Sequence, residues 1–423
     1  IGGLHVPNCT FEDGLLASEA VFTDVVSLSE TTFDGDLVDF TGAIFERSLV
    51  GEKVTFAVDV SFRNVEFRHT VSFDGAWFTE QASTIDDNVD FEHAIFHDTA
   101  SFRHTSFYHT SFQEVTFHDT AVFEQATANG TLRLSGSVFH AEADFDELHC
   151  EKDISFSNVV FNGEAFFRGV SVAGGTDVLA DDFSIANATF EKKATFEHGT
   201  FGFTNAKGAE FSTCVSFERT TFTDDAVFID VTFDDTADFD EVIFDGDVEF
   251  TDSVFREDAV FRGSEFNGGT NYLESDVVFD TVTFTHPAKF SNTDIVSIEF
   301  RATEFQSTVD FTDAEITETL IIKTPTFRDD PYLDFTDATI EEGTIVQPER
   351  GWGYFDFTQA TVGDVSLVAA NQTDRRELLD YFSFCDTTFD RFDFSQHLEY
   401  LDRNDWILHT FSEPETGYTP ALE

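Results

Sequence analysis

The chain has 423 residues, with 82 acidic and 23 basic side chains and a formal charge of −59 at neutral pH. This balance leaves no basic patch and argues against direct binding to nucleic acid. The 55 phenylalanines argue against a disordered acidic chain. No run approaches 18 apolar residues, so we expect no membrane span.

Phenylalanine recurs along the chain in steps that alternate between five and six residues. The residue two before each phenylalanine is small or β-branched, as at Ala237 and Ser253. Residues two apart on a strand point to the same side, so each pair is expected to face inward. The clearest run, which predicts the core stack, is Phe211, Phe217, Phe222, Phe228, Phe233, Phe239, Phe244, Phe250, Phe255, Phe261 and Phe266.

So short a repeat cannot bury its own apolar side chains and predicts a solenoid of stacked coils. The pattern begins near Phe11 and reaches about Val368. We interpret its interruptions as loops that leave the coil, either functional or tolerated without a role. The interruptions are residues 81–90, 127–138, 171–182, 267–277, 323–333 and 347–354.

Copies such as TADFDEVIFDG, DVEFTDSVFRE and DAVFRGSEFNG resemble the pentapeptide-repeat family in a Phe-rich, 11-residue form, and are similar to haloarchaeal members. The resemblance implies an all-β solenoid, a right-handed quadrilateral parallel β-helix with about 22 residues per coil. It covers most of residues 1–370. Phenylalanine stands where better-known members have leucine, so functions of those members transfer less readily.

Residues 371–423 are predicted to form a short α-helical cap or dimerisation segment. Asp374 and Glu377 have the spacing of a capping box, and Ser395 is a candidate N-cap for a second helix. A solenoid end needs a cap, and in relatives such a segment pairs two rods. The residues expected on the apolar side of the second helix are Leu398, Leu401, Leu408 and Phe411.

Histidines between residues 69 and 118 are the candidate metal ligands. Counting four steps per coil predicts one column with His69, His93 and Glu114 and another with His97 and His118. Stacked imidazoles can bind Zn²⁺ or Cu²⁺, although no closed set of four ligands is visible. The alternative is a solvated corner of polar side chains.

The four cysteines are predicted to be free thiols, because Cys150 and Cys214 lie nearly three coils apart. Cys150 occupies a position where the pattern expects an inward phenylalanine. The sequence lacks a nucleophile elbow, a phosphate-binding glycine loop and paired zinc-type cysteines, so we expect neither catalysis nor a cofactor.

These features favour a non-catalytic scaffold that binds a protein partner or a second copy of itself. The acidity is typical of a halophilic organism, because concentrated salt screens self-repulsion. It also fits a DNA-mimic modulator of a type II topoisomerase, and a straight rod fits a cell-surface or filament subunit. The chain begins at Ile1 and contains no methionine, which fits either a processed chain or a fragment of a longer protein. We expect a cytoplasmic location unless further segments place the protein at a membrane or the cell surface.

Overall fold

The computed structural model describes residues 2–79, 88–174, 181–269, 276–329, 331–370, 377–391 and 397–406. Within these ranges the chain is a parallel β-solenoid with almost no helix, as the repeat predicted. It divides into two compact units, residues 1–227 and 228–423. No helix in the described part of the chain is long and apolar enough to cross a membrane.

Each coil of the first unit has four short strands, and each strand pairs in parallel with its counterpart in the next coil. The first face contains Leu4–His5, Val26–Ser27, Leu49–Val50, Val71–Ser72, Ala100–Ser101, Ala121–Val122, Ala143–Asp144, Ala165–Phe166, Ala194–Thr195 and Val215–Ser216. The second face contains Thr10–Phe11, Thr32–Phe33, Thr55–Phe56, Trp77–Phe78, Ser106–Phe107, Thr127–Ala128, His149–Cys150, Ser171–Val172, Thr200–Phe201 and Thr221–Phe222. The third face contains Leu15–Leu16, Leu37–Asp39, Asp59–Ser61, Val89–Asp90, Thr110–Ser111, Leu132–Arg133, Ile154–Ser155, Phe183–Ser184 and Thr204–Asn205. The fourth face contains Val21–Phe22, Ile44–Phe45, Glu66–Phe67, Ile95–Phe96, Thr116–Phe117, Val138–Phe139, Val160–Phe161, Thr189–Phe190 and Glu210–Phe211.

Two kinds of corner produce the alternating steps of five and six residues. At the tight corner the N–H of Thr105 donates to the carbonyl of Phe102 (3.2 Å), and His104 between them has φ +53°. This geometry is that of a type II turn, which requires a positive φ at its third residue. The corner between Phe96 and Ala100 is wider by one residue. Tight and wide corners alternate around the coil, so the step length alternates too.

Phenylalanine rings stack from coil to coil inside each unit. Phe91 and Phe112 in the first unit have ring centroids 4.6 Å apart and planes 3° apart. Phe261 and Phe290 in the second unit are 4.8 Å and 2° apart. The eleven phenylalanines of the predicted core stack are each at most 1% exposed. Burying each such side chain stabilises the fold by roughly 1.5–3 kcal/mol, and stacking adds to this.

The second unit begins with the same four faces and then changes its cross-section. Its first face contains Ala237–Asp238, Ala259–Val260, Ala288–Lys289, Val309–Asp310, Tyr332–Asp334, Tyr354–Asp356 and Phe382–Ser383. Its fourth face contains Thr232–Phe233, Val254–Phe255, Thr283–Phe284, Glu304–Phe305 and Thr326–Phe327. Before Asp294 its second face contains Ile243–Phe244 and Glu265–Phe266. Its third face contains Val248–Thr251 and Val277–Asp280. The boundary between the units lies within Ala226–Ile229.

From Asp294 onward the second and third faces share single long strands. These are Asp294–Arg301, Glu315–Lys323, Thr339–Gln347 and Thr361–Ala369, and Thr388–Arg391 pairs with the last of them. The regular corner Asp245-Gly246-Asp247 uses turn-forming residues, whereas the first long strand has Val296-Ser297 at this place, one residue fewer and with a β-branched side chain that favours extended backbone. Strand pairing therefore continues through this corner from Asp294 onward, and the register shifts after Ile295 and Ile316 mark where the corner lies.

Two of the predicted loops are wrong. Residues 127–138 contain strands Thr127–Ala128 and Leu132–Arg133, and Leu134 is fully buried. The pattern continues there because alanine and leucine replace phenylalanine at inward positions. Residues 323–333 likewise contain the strand Thr326–Phe327.

Three other interruptions are insertions at the wide corner between the second and third faces. Residues 80–87, 175–180 and 270–275, in or directly beside them, lie outside the described residues. On the third face Val60 pairs with Val89, Ile154 with Phe183 and Val248 with Val277, each 29 residues apart, where most neighbouring coils are 22 apart. Between Gln347 and Tyr354 the strands are also interrupted, as predicted.

Strand pairing extends beyond the domain boundary predicted at residue 370. Phe382–Ser383 pairs with the preceding coil, after a 3₁₀ helix at Leu378–Tyr381. The α-helix Leu398–Arg403 follows. Asp374 and Ser395, the predicted capping residues, lie outside the described residues. Glu377 forms no side-chain cap in the structure.

Candidate binding surface

A groove of about 330 Å³ lies on the third face of the first unit. Three successive coils form it, where the second insertion returns to the face at Asp181. Its lining combines hydroxyl groups with charges of both signs. The residues are Thr131, Leu132, Arg133, Ser135, Asp153, Ser155, Ser157, Asp181 and Ser184.

Four serine hydroxyls form a chain of hydrogen bonds across the floor of the groove. Ser155 Oγ is 2.9 Å from Ser135 Oγ and 3.0 Å from Ser157 Oγ. Ser157 Oγ is 2.9 Å from Ser184 Oγ in the next coil. Hydroxyls linked in this way can still donate or accept at the ends of the chain, and no activating base takes part in these contacts. The surface is therefore suited to hydrogen bonding.

The upper rim of the groove is fixed by Asp181. Its Oδ2 accepts a hydrogen bond from Asn205 Nδ2 (2.8 Å), so this carboxylate is held toward the coil that follows. Sequence reasoning missed the groove, because a contact between Ser157 and Ser184, 27 residues apart, depends on the length of the insertion between them.

One of the two predicted histidine columns is present. His97 and His118 stack with ring centroids 5.1 Å apart, and His140 extends the stack at 5.0 Å. Burial, followed by the neighbouring His140 and His97, lowers the pKa of His118 below 6.5. His140 was missed although its spacing of 22 residues from His118 is the length of one coil.

The other predicted column is not formed. His93 Nδ1 lies 3.2 Å from a carboxylate oxygen of Glu114, as expected of neighbours. His69 instead lies 3.8 Å from Asp98, because the first insertion shifts the register between these coils. Within the described ranges no three His, Cys, Asp or Glu side chains are arranged to hold a metal ion.

The first face of the second unit carries a ladder of aspartates on its outer side. Asp310, Asp334 and Asp356 are partners on successive strands. Asp334 Oδ1 accepts hydrogen bonds from the N–H (3.0 Å) and the hydroxyl (2.6 Å) of Thr336. Burial raises the pKa of Asp334, and repulsion from Asp356 and Asp310 raises it further.

The cysteines are free thiols, as predicted. Cys150 is fully buried at an inward position, and burial raises the pKa of its thiol. Cys9 is exposed. Only the buried thiol replaces a core phenylalanine, and its protonated form is apolar enough to do so.

The predicted residues of the carboxyl-terminal segment separate into two groups. Leu401 is fully buried, whereas Leu398 is 46% exposed. Leu408 and Phe411 lie outside the described residues. Arg403 of the helix pairs with Glu377 at 2.5 Å, which ties the helix to the residue that precedes the 3₁₀ helix.

The coils, corners and stacked core define a β-solenoid repeat protein. Residues 102–149, 206–254 and 228–271 match the family profile described as pentapeptide repeats (9 copies). These segments are similar to the repeats of that family. Comparison with curated proteins finds no match.

Among solved structures, the chain is similar to HetL, a pentapeptide repeat protein involved in heterocyst differentiation regulation from the cyanobacterium Nostoc sp. strain PCC 7120. The two are 8% identical, with 80% of this chain and 88% of HetL covered and a TM-score of 0.16. A likeness at this level carries no argument about function.

Proposed function

We propose that the chain is a non-catalytic scaffold that binds a partner protein through the groove on the third face of the first unit. The groove supports this proposal because it offers hydroxyls, an arginine and two aspartates on a surface held by three coils. Mixed polar groups of this kind recognise polar side chains and main-chain amides of a protein. A preorganised surface also loses little conformational entropy on binding.

Blocking the groove tests the proposal. Ser155→Trp places a bulky ring in the groove, and Thr116→Trp places the same ring on the outer side of the fourth face as a matched control. Both variants, with the unmodified chain, are used as bait in extracts of the source organism, and bound proteins are quantified by mass spectrometry. A partner retained by the chain and the control but lost with Ser155→Trp supports the proposal; equal retention by all three contradicts it.

We further propose that the acidity reflects life in concentrated salt, as in the haloarchaeal proteins that the repeats resemble. A charge of −59 supports this, because self-repulsion of that size is tolerated better when salt shortens the Debye length. The same acidity disfavours direct binding to nucleic acid.

A DNA-mimic modulator of a type II topoisomerase is the alternative function. The formal charge of −59 favours it, because B-DNA likewise carries a negative charge about every 1.7 Å along its axis. A supercoiling assay in high salt distinguishes the two proposals. Inhibition stronger than that by an equally acidic halophilic control protein supports mimicry, and equal inhibition contradicts it.

Self-association is the remaining alternative, either as a surface or filament subunit or as a dimer through residues 371–423. Buried Leu401 beside exposed Leu398 supports a segment that caps one surface while presenting another. Mass measurement in solution separates these alternatives. Open-ended oligomers favour a filament, a dimer lost on removing residues 397–423 favours carboxyl-terminal pairing, and a monomer contradicts both.

A further inference from the structure

The number of residues between strand partners on the third face varies from coil to coil, and this variation recurs after several coils. Starting at Val60, successive partners in the first unit lie 29, 21, 22 and 22 residues apart, which leads to Ile154. From Ile154 the series begins again with 29, 21 and 22. In the second unit the spacings from Val248 are likewise 29, 21 and 22. Every insertion is thus followed by a coil that is one residue short.

The same corner contains both the insertion and the missing residue. Ala128 and Leu132 on either side of a regular corner are four positions apart, whereas Phe107 and Thr110 after the first insertion are three apart. Phe201 and Thr204 after the second insertion repeat the shortened corner. After the third, Ile295 and Ile298 have the same spacing, and there the corner is straightened within Asp294–Arg301.

In the coil before each insertion, an aspartate lies directly before the first inward residue of the third face; we call it the base aspartate. Asp59, Asp153 and Asp247 are spaced by 94 residues. Asp247 is 4% exposed, and its Oδ1 accepts a hydrogen bond from the N–H of Gly269, at the start of the third insertion (2.9 Å). Asp59 Oδ1 accepts one from Asn88 Nδ2, at the end of the first (3.0 Å).

The residue that ends each insertion holds the shortened corner of the next coil. Asp182 Oδ2 accepts a hydrogen bond from the N–H of Phe203 (2.7 Å). The N–H of Asp276 donates to Ser297 Oγ (2.8 Å), and that hydroxyl donates back to the Asp276 carboxylate. At the first insertion the N–H of Asn88 donates to the carbonyl of His109 (2.9 Å).

We infer that the third face carries a recurring module that begins at residues 59, 153 and 247, 94 residues apart, in which the insertion and the following shortened corner are one coupled device. Asp59 and Asp247 are its positioning residues, and Asp153 is the equivalent position at the second insertion. Four regular coils would span 88 residues, and the device adds six. The device would hold the insertions in place whether or not the groove binds a partner.

Excision of one module tests the period. Joining Asn88 directly to Phe183 removes 94 residues. The remaining chain keeps the base aspartate Asp59 and the first insertion, followed one coil later by the shortened corner between Phe201 and Thr204. We expect a soluble chain with a β-type circular dichroism spectrum and cooperative thermal unfolding. The matched control joins Asn88 to Ser184 and removes 95 residues, which moves every downstream side chain by one position and turns the inward residues of the next strand outward. Folding of both variants alike, or failure of the 94-residue excision, overturns the inference.

Removal of a base aspartate tests the coupling without changing the length. Asp247→Ala deletes the acceptor of the Gly269 amide, and we expect hydrogen exchange at that amide to accelerate at least about tenfold. Asp247→Asn retains an acceptor and is expected to restore slow exchange. Asp294→Ala, which removes an exposed carboxylate of the same unit, is the control. Unchanged exchange at Gly269 in Asp247→Ala overturns the assignment.

Discussion

At the scale of single residues, small polar side chains inside the tight corners connect neighbouring coils. Ser264 Oγ donates to the carbonyl of Phe239 (2.6 Å) and accepts from the N–H of Val242 (3.0 Å). Ser253 makes the equivalent contacts with Phe228 and Val231. Both serines are fully buried. Their hydroxyls satisfy backbone groups of the adjacent turn, which explains why a polar residue is tolerated beside the aromatic core.

Replacing Ser264 by alanine tests this role. The substitution removes two buried hydrogen bonds, and we expect the free energy of unfolding to fall by about 1–2 kcal/mol. Chemical denaturation monitored by circular dichroism measures the change. Ser291→Ala, at a half-buried position on the outer side, is the control and should differ little from the unmodified chain. An equal effect of the two substitutions would show that the buried hydroxyl contributes no more than a surface one.

The stacked histidines predict a dependence of stability on pH. Because the pKa of His118 is lowered from 6.5, the folded chain binds this proton more weakly than the unfolded chain does. Stability contributed by neutral His118 is therefore complete above about pH 6.5 and declines as the pH falls toward the folded-state pKa. We expect His118→Asn to lose less thermal stability than the unmodified chain between about pH 8 and pH 5. Identical pH profiles of the two proteins would contradict this.

At the scale of elements, the sequence predicts the regular coils well. The spacing of phenylalanine predicts the faces, the inward partners such as Ala237 and the free thiol of Cys150. The phenylalanine pattern fails where another apolar residue occupies the inward position, as at Leu134. A pattern defined by one residue type does not detect other residues that fill the same position. The pattern also fails to predict the long strand around Val296. The absence of turn-forming residues at a corner is a weaker sequence signal than their presence. The groove depends on contacts between coils separated by an insertion, so no local pattern predicts it.

The aspartate ladder is an element whose charges oppose folding at neutral pH. Because the pKa of Asp334 is raised, the folded chain gains stability as the pH falls through that pKa toward the ordinary value of 3.8. Asp334→Asn removes the charge and keeps an oxygen that accepts from Thr336. We therefore expect a higher melting temperature at neutral pH, and a smaller gain near pH 4.

Thermal unfolding at the two pH values measures the effect. Asp294→Asn, at an exposed position of the same unit, removes the same charge outside the ladder. If both substitutions raise the melting temperature equally, the benefit comes from the net charge and not from the ladder.

At the scale of the whole molecule, the stacked core must offset the repulsion of 82 acidic side chains by one another. Ion pairs between coils relieve part of it, as where Arg262 and Asp240 approach to 2.5 Å. Such exposed pairs each contribute at most about 1 kcal/mol, and 23 basic residues cannot pair with all the acidic ones. Most of the carboxylates are therefore screened by solvent ions rather than by the protein.

Stability should consequently rise with salt. At 0.1 M salt the Debye length is about 10 Å, long enough for carboxylates on neighbouring coils to repel, and at 1 M it is about 3 Å. We expect the melting temperature to increase steeply from about 0.1 M to 1 M KCl and then to level off, because screening saturates once the Debye length falls below the spacing of coils. Sucrose favours compact states by exclusion without screening charge, so it serves as the control. A melting temperature that is flat in KCl, or that rises equally in sucrose, would mean that self-repulsion does not limit this fold.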